Sequence, residues 1–479
     1  MAADGELWRW PAGRIAAAIR GREVSAIEVA RSCLDRIEAV NGTLNSLVEL
    51  SADETLEAAR LADRAQAAGE ELGPLHGVPV ATKINTDQAG HATTDGLVEG
   101  ADAVAREDSP QVNGLRRAGA VLLGRSNSPA FAFRWFANND LHGSTLNPWD
   151  SSRTPGGSSG GAASAVASGM VPLAQGNDSG GSIRYPAFCC GVAGIYPTPG
   201  RVPRRVGPPD GDVALAEQLM ATDGALARTI DDLRRFLAAM SGGYDPRDPV
   251  GVPVASAPPA PKHPLKVAVV AENGVNAPSP AVRDALATAA GWLADAGYEV
   301  EVQRLPVLEE AYRLWWLLNM EELRLIMPIV EGVSDRAIKI ASSHYFEIVA
   351  EWWGSTPSLA DVLNGWARRG TLIAELQAFL EEFPVVLMPI SAEQAFEQDA
   401  DLGEIGRTQE LIAAQYSMMA VPLLGFPALS VPTGVAGGLP TGVQILCRRF
   451  DENTLLDAGE AIEARAGVLT PIDPNPNHS

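Results

Sequence analysis

Histidine and cysteine are both scarce in this chain of 479 residues, which contains six histidines and four cysteines. A serine nucleophile that depends on histidine as its base therefore has few partners here. The cysteines show no metal-ligand spacing, and the adjacent pair is poorly suited to an internal disulfide; they are Cys33, Cys189, Cys190 and Cys447. We expect reduced thiols, a cytoplasmic location and no metal site.

Long apolar runs and excess positive charge are missing as well. No stretch of about 18 uninterrupted apolar residues occurs, so the sequence predicts no membrane span. The apolar run near the N-terminus, residues 15–19, is too short for the core of a signal peptide. Acidic residues outnumber basic ones by 59 to 37, for a net charge of −22. Because this charge repels nucleic acid and anionic membranes, we expect neither as a partner.

Glycine and serine are concentrated in one stretch, residues 153–186, which reads RTPGGSSGGAASAVASGMVPLAQGNDSGGSIRYP. Two glycine-flanked serine clusters stand at either end of it, where the backbone can turn sharply. Between them, the composition predicts a small-residue helix over 162–169 and a short apolar strand over 171–175. The turn after that strand leads to Ser182 and presents several backbone N–H groups to one point. This is the geometry that an oxyanion hole requires.

One lysine is a candidate base for such a serine. Lys83 lies in GVPVATKINTDQAG, directly after an apolar run. Burial disfavours the charged ammonium and lowers a lysine pKa from about 10.4 by up to 3–5 units. A lysine that is neutral at pH 7 accepts a proton.

Several segments together resemble the pattern of the amidase signature family, in its order and across nearly the whole chain; they are GGSSGG, GNDSGGSIRYPA, GVPVATKINTDQAG, PALSVPTG and GLPTGVQILCRRFDENTLL. The resemblance implies that Lys83 is the catalytic base, Ser158 the bridging serine and Ser182 the nucleophile. It also implies a cis peptide bond between Gly157 and Ser158.

Further site residues follow from the same resemblance. The implied oxyanion hole consists of the backbone of Ser179, Gly180, Gly181 and Ser182. Asp178 and Arg184 flank the nucleophile, and we interpret them as an ion pair that holds the turn, with Gly157 and Ser159 as structural neighbours. The basic segment after this turn, Arg201, Arg204 and Arg205, is interpreted as solvated.

The resemblance implies an α/β fold: a single large amidase signature domain over residues 1–479, with a mixed, mostly parallel sheet surrounded by helices. The family motifs lie at 75–205 and 420–460. Independently of the resemblance, a strand, helix, strand pattern over 266–302 predicts a parallel strand pair.

Two segments lie outside those motifs. Residues 245–264 are proline-rich and predict a surface crossover. Residues 305–420 match the family least and hold many aromatic residues, so we expect a variable helical region on the substrate side. The loop of residues 131–142 is a second candidate wall for the substrate.

The resemblance implies hydrolysis of a linear C–N bond through a covalent acyl-serine, without metal or organic cofactor. The aromatic residues of 312–353 favour a hydrophobic or aryl amide as the small-molecule substrate, with carbamates (urethanes) as an extension. Some family members release ammonia from glutamine for a partner, so a glutamine amidotransferase subunit stays open. The oligomeric state, a homodimer included, also stays open.

The first serine cluster also matches a sequence motif of a second class of enzyme. Gly156 to Gly160 satisfies G-x-S-x-G, the nucleophile elbow of Ser-His-Asp α/β-hydrolase esterases. That elbow needs an apolar strand directly before it and a histidine further along the chain. The preceding NPWDSSRTPGG is rich in turn residues instead, and His344 is one of only three histidines that follow.

Overall fold

The computed structural model describes residues 6–205, 212–241, 243–254, 264–271, 275–332 and 335–474. The strands in these ranges are β1 (Leu47–Leu50), β2 (Pro79–Lys83), β3 (Val121–Ser126), β4 (Asn138–Asn139), β5 (Gly143–Ser144), β6 (Leu173–Asp178), β7 (Ala193–Tyr196), β8 (Thr222–Ala227), β9 (Lys266–Val269), β10 (Glu299–Val302), β11 (Val385–Met388), β12 (Ala428–Ala436) and β13 (Leu439–Cys447).

The α-helices in the same ranges are α1 (Ala12–Arg20), α2 (Ala26–Leu44), α3 (Ala52–Ala68), α4 (Pro110–Arg117), α5 (Gly160–Ala167), α6 (Arg184–Cys190), α7 (Leu215–Met220), α8 (Ile230–Met240), α9 (Pro280–Asp295), α10 (Val307–Gly332), α11 (Arg336–Trp353), α12 (Leu359–Glu382), α13 (Ile405–Ala414), α14 (Tyr416–Leu424) and α15 (Glu452–Ala466). Short 3-10 helices occur at Leu7–Arg9, Val98–Gly100, Ala130–Ala132 and Ala400–Leu402.

Eleven strands form one sheet in the order β1-β3-β2-β6-β8-β7-β12-β13-β11-β9-β10. The pairs β3/β2, β2/β6, β11/β9 and β9/β10 are parallel. The other six pairs of neighbours are antiparallel. The expected mixed α/β sheet is confirmed. It has fewer parallel pairs than expected, because the neighbouring strands from β6 to β11 all pair antiparallel. The sharpest connection among these pairs is the two-glycine turn, Gly437-Gly438, between β12 and β13.

The sheet separates two hydrophobic cores. Along β11, Val385 and Leu387 belong to one core, and Val386 and Met388 to the other. This alternation follows from the two-residue period of a strand. The first core also contains α1, α8, α9 and α15, and the second contains α10, α11, α12 and α14. Helices therefore cover both faces, and a strand buried on both faces needs the near-continuous apolar sequence that β11 has.

The predicted strand, helix, strand unit is confirmed. Strands β9 and β10 pair in parallel, and α9 joins them with Ser279 as its N-cap. Of the proline-rich crossover predicted over 245–264, residues 245–254 contain no helix or strand. Its residues 255–263 lie outside the described residues.

All four cysteines are buried free thiols. Within the described ranges, no helix has the length and apolarity needed to cross a membrane.

Candidate active site

Strands β2 and β6 place the two halves of the site beside each other. They are parallel neighbours, so their carboxyl ends meet at one edge of the sheet. Lys83 is the last residue of β2, and Asp178 is the last residue of β6. Gln175 in β6 accepts the backbone N–H of Lys83 through its Oε1 at 3.0 Å. This side chain holds the end of β2 against β6 beyond the last regular pair of these two strands, Ala81 with Ala174.

The Lys83 side chain is fully buried and in direct contact with the first serine cluster. Its Nζ lies 2.6 Å from Ser158 Oγ and 2.7 Å from Asn177 Oδ1. Burial lowers the pKa of Lys83 to about 7, and the negative charges of Asp95 and Asp223 oppose that shift. Near neutral pH the neutral amine can therefore accept the hydroxyl proton of Ser158. Asn177, which accepts the remaining hydrogen bond, was not identified from the sequence.

The turn that carries Ser158 is packed tightly against the backbone of residues 134–136. The Gly157–Ser158 peptide bond is cis. A Cβ on Gly157 would lie 2.4 Å from the carbonyl oxygen of Arg134 and 2.5 Å from the backbone nitrogen of Phe136, so only glycine fits here. Ser159 follows, and its N–H donates to the carbonyl oxygen of Ser182 at 3.0 Å. That bond joins the two serine turns.

The second turn is held by the buried pair Asp178 and Arg184. Arg184 donates to both carboxylate oxygens at 3.0 Å, and both side chains are fully buried. The same carboxylate accepts the N–H groups of Gly181 at 2.7 Å and Ile183 at 3.1 Å. Although burial alone would raise the pKa of Asp178, Arg184 and these N–H groups hold it below its usual value. The ion pair thus fixes the backbone on both sides of Ser182.

Of the four backbone N–H groups expected to form an oxyanion hole, one already has a partner in the protein. The N–H of Gly181 is taken by Asp178, because that carboxylate lies inside the turn. Within the described residues, the N–H groups of Ser179, Gly180 and Ser182 make no hydrogen bond. Gly181 instead supplies a backbone φ of 103° that other residues rarely adopt. The Ser182 side chain is half-buried, so it is more accessible than the fully buried Ser158.

Two tryptophans orient this turn, and neither role was identified from the sequence. Trp315 in α10 donates its Nε1–H to the carbonyl oxygen of Ser179 at 2.8 Å. Trp135 donates in the same way to the carbonyl oxygen of Gly180 at 3.1 Å. In a trans peptide the C=O and the following N–H point in opposite directions. By holding the Ser179 carbonyl on its own side, Trp315 directs the Gly180 N–H to the opposite side.

The helical region expected beside the substrate consists of α10 to α14, and one face of its long helices packs into a hydrophobic core. Tyr312, Trp316 and Tyr345 are buried there. Trp315 is only partly buried, and a Cβ on Gly180 would lie 2.9 Å from its Cζ2, so its indole covers the turn. The period of the helix shows which aromatic side chains share a face. This period does not show which aromatic side chain contacts the turn at Ser179, which lies 136 residues before Trp315 in the chain.

The loop of residues 131–142 is anchored by a buried arginine. Arg134 donates to the carboxylates of Asp401 and Asp399, and its side chain is fully buried. Phe131 and Phe133 beside it stay partly exposed. They pack on a small apolar cluster with Val330 of α10. The loop is therefore anchored at Arg134 and keeps two aromatic side chains partly exposed.

The interpretation of the 201–205 arginines as solvated is wrong. Arg204 is largely buried and pairs with Glu217 at 2.6 Å and Asp223 at 3.4 Å. Asp223 also accepts the Nε2–H of Gln175 at 2.7 Å. Arg201 pairs with the buried Glu452 at 2.9 Å, and Arg205 with Glu107 at 3.2 Å. The acidic partners come from distant segments, so nothing in the local sequence indicated them.

The nucleophile elbow does not form. Residues 145–155, directly before Gly156, contain no strand, and the partner of Ser158 is Lys83. His344 contacts Thr408 Oγ1 at 2.9 Å instead. In the part of the chain that the structure describes, no cluster of three or more histidine, cysteine or acidic side chains could hold a metal ion.

Comparison with known proteins gives a consistent result. The family model described as Amidase matches residues 28–456. An indoleacetamide hydrolase from Bradyrhizobium diazoefficiens is 40% identical over 472 residues, which cover 97% of this chain and 88% of that protein. A glutamyl-tRNA(Gln) amidotransferase subunit from Acidothermus cellulolyticus is 36% identical over 491 residues, 96% of this chain and 95% of that protein. Among solved structures, a bacterial aryl acylamidase superposes with a TM-score of 0.79 at 26% identity, covering 96% of both chains.

Proposed function

Because this chain belongs to the amidase family, we propose that it hydrolyses a hydrophobic or aryl-bearing amide through a covalent ester on Ser182. The observation that carries the proposal is the 2.6 Å contact between the buried Lys83 Nζ and Ser158 Oγ. A lysine with a pKa of about 7 in contact with a serine hydroxyl is an activated base.

In the proposed mechanism Ser158 relays protons between Lys83 and the nucleophile. Neutral Lys83 takes the Ser158 proton, Ser158 takes the Ser182 proton, and Ser182 Oγ attacks the amide carbon. The free N–H groups of the 179–182 turn stabilise the oxyanion that forms on the carbonyl oxygen. The relay then returns the proton to the amide nitrogen as the C–N bond breaks and the amine leaves. Water, deprotonated by the same relay, hydrolyses the ester.

The substrate class rests on two observations. Partly exposed aromatic side chains are contributed by Trp315, which covers the Ser182 turn, and by Phe131 and Phe133 in the adjoining loop. A relative that is 40% identical over nearly the whole chain is an indoleacetamide hydrolase, whose named substrate is the primary amide of an aryl-substituted acid. Aryl carbamates share the flat ring and the acylated nitrogen, so they extend the proposed class.

A glutamine amidotransferase subunit is the second candidate. It is supported by the relatives named as subunits of glutamyl-tRNA(Gln) amidotransferase, at 36% and 34% identity. Such a protein would release ammonia from glutamine and pass it to a partner. The two candidates share the proposed chemistry and differ in the pocket.

The test is a substrate panel combined with intact-protein mass spectrometry. The panel contains indole-3-acetamide, an anilide, an aryl carbamate and glutamine. We expect turnover of the aryl compounds and an acyl adduct on the wild type that is absent in Ser182→Ala. Ser152→Ala is the matched control, because Ser152 lies in an exposed turn and its side chain bonds only to Asp150.

Two results would contradict the proposal. Glutamine as the sole substrate would replace the aryl amide with the amidotransferase function. An acyl adduct that persists in Ser182→Ala would move the nucleophile to another residue.

A further inference from the structure

Among the described residues, the carboxyl group of Asp95 has no hydrogen-bond or ion-pair partner, although its charge acts on Lys83. Asp95 Oδ1 is shielded from solvent and makes no hydrogen bond. Neither carboxyl oxygen takes part in any hydrogen bond or ion pair with the rest of the described chain. Buried polar groups are normally hydrogen-bonded, because an unsatisfied one costs desolvation energy without return. A lone buried carboxyl oxygen therefore calls for a partner that arrives from outside the protein.

The backbone holds this carboxyl group in a fixed position. Asp95 and Gly96 both have positive φ, 49° and 71°. The Asp95 carbonyl oxygen accepts the N–H of Phe131 at 2.9 Å. A Cβ on Gly96 would lie 3.0 Å from the backbone of Ala130, so the turn is packed tightly against the loop that carries Phe131. A non-glycine residue in this conformation is uncommon, and such residues are enriched at functional sites.

The charges of Asp95 and Lys83 affect each other's pKa, although no contact joins the two side chains. The charge of Asp95 is the strongest of those that oppose the lowered pKa of Lys83, and Lys83 in turn opposes the rise in the pKa of Asp95 to about 7, which burial causes. No hydrogen bond or ion pair joins the two side chains, and Lys83 Nζ is bonded to Ser158 and Asn177 instead. The carboxyl group therefore lies near the proposed base without being used by it.

We propose that Asp95 determines substrate specificity by accepting a hydrogen bond from the N–H group of the substrate. The inference rests on the proposed function. It selects primary and secondary amides and N–H carbamates over esters, which lack the donor. A carboxyl group keeps an acceptor oxygen whether it is protonated or ionised, so this contact is available on both sides of neutral pH.

The test compares an anilide with the aryl ester that has the same acyl group and the same ring. Both substrates give the same acyl-enzyme, so the ratio of their kcat/KM values reports only how each is bound and attacked. In Asp95→Gly, which tolerates the positive φ, we expect the anilide kcat/KM to fall on the order of 10- to 100-fold and the ester value to stay within about threefold. In Asp95→Asn, which keeps an acceptor oxygen and also tolerates this φ, the anilide loss should be smaller.

The control is Asp102→Asn, which removes one negative charge from an exposed position in the same loop and should leave the ratio unchanged. Equal losses on anilide and ester in Asp95→Gly would overturn the inference, because they would assign Asp95 to the fold or to Lys83. If that variant unfolds, Asp95→Ala, which also lacks the acceptor oxygen, takes its place, and an unchanged anilide-to-ester ratio in Asp95→Ala overturns the inference. A wild type that cleaves neither substrate would instead remove the proposed function, and the inference with it.

Discussion

The motif region, residues 75–205, and the helical region, residues 307–424, bury different kinds of side chain. The motif region buries charge: Lys83, Asp178 and Arg184 are almost completely shielded from solvent. The helical region buries aromatic and aliphatic side chains, and pairs such as Arg368 with Glu310 stay at its surface. The first region carries the proposed chemistry and the second supplies packing.

This difference follows from what each region has to do. A base with a lowered pKa needs burial, and burial of charge is unfavourable unless partners are placed around it. Those partners need small residues and tight turns, which the glycine-rich stretch provides. The helices need only to fill space and present a few side chains to the site. The two regions meet where Trp315 bonds to Ser179.

The largest expected effect is that of Lys83→Met, which replaces the proposed base with an apolar side chain of similar length. Activity should fall by on the order of 10³-fold or more, because Ser158 then has no proton acceptor. Lys266→Met, on a partly exposed lysine at the other side of the sheet, should change activity little. A Lys83→Met enzyme that retains a tenth of its activity would contradict the role of Lys83.

The pH dependence sharpens the same point. Below about pH 7 Lys83 is protonated in the folded protein, so kcat/KM should fall about tenfold per pH unit and reach a plateau above pH 7. The folded pKa lies below the unfolded value, so the folded state binds fewer protons between about pH 7 and 10.4. As the pH rises through this window, the free energy of unfolding of the wild type should therefore increase relative to that of Lys83→Met. A flat activity profile from pH 6 to 9 with rate-limiting chemistry would contradict the proposal.

A comparison of two arginines tests the buried charge of the motif region. Arg184→Met leaves Asp178 buried without its counter-charge and should lower the free energy of unfolding by about 3–5 kcal/mol. Arg368→Met breaks only the exposed pairs of Arg368 with Glu310 and Glu375 and should cost much less. Denaturant titrations of both variants measure the difference. Similar losses of unfolding free energy in the two variants would mean that the buried ion pair of the motif region is no more important for stability than the exposed pairs of the helical region.

The smallest effect is expected where the regions meet. Trp315→Phe keeps an aromatic ring but removes the hydrogen bond to the Ser179 carbonyl, so the Gly180 N–H is less well directed, and kcat should fall about tenfold. Trp353→Phe makes the same change on α11, where the Nε1–H donates to the carbonyl oxygen of Arg313 at 3.3 Å, and should stay within about twofold. An unchanged kcat in Trp315→Phe would mean that Trp315 contributes only packing and does not orient the turn.

Much of the fold was predictable because it depends on local pattern. The capping box of Ser25 and Glu28 forms at the start of α2 as the spacing of serine and glutamate requires. The small-residue helix and the strand after it form as α5 and β6. The parallel pair of β9 and β10 follows from the alternation of strand and helix. The antiparallel pairs in the middle of the sheet could not be predicted from local pattern, because they depend on which strands become neighbours in space.

By itself, the sequence determined which residues could carry the chemistry: a lysine after an apolar strand and two serines in glycine turns, recognisable by resemblance to a known family. Only the tertiary structure decided what surrounds them. It placed Asn177 on Lys83, Trp315 on the Ser179 carbonyl and Asp178 on the Gly181 N–H. Among the residues that the structure describes, it left Asp95 Oδ1 without a hydrogen-bond partner. The physical reason is that burial and pairing of polar groups depend on segments far apart in the chain. Glycine turns and the periodicity of strands and helices depend on residues close together in the chain, so they can be predicted from the sequence.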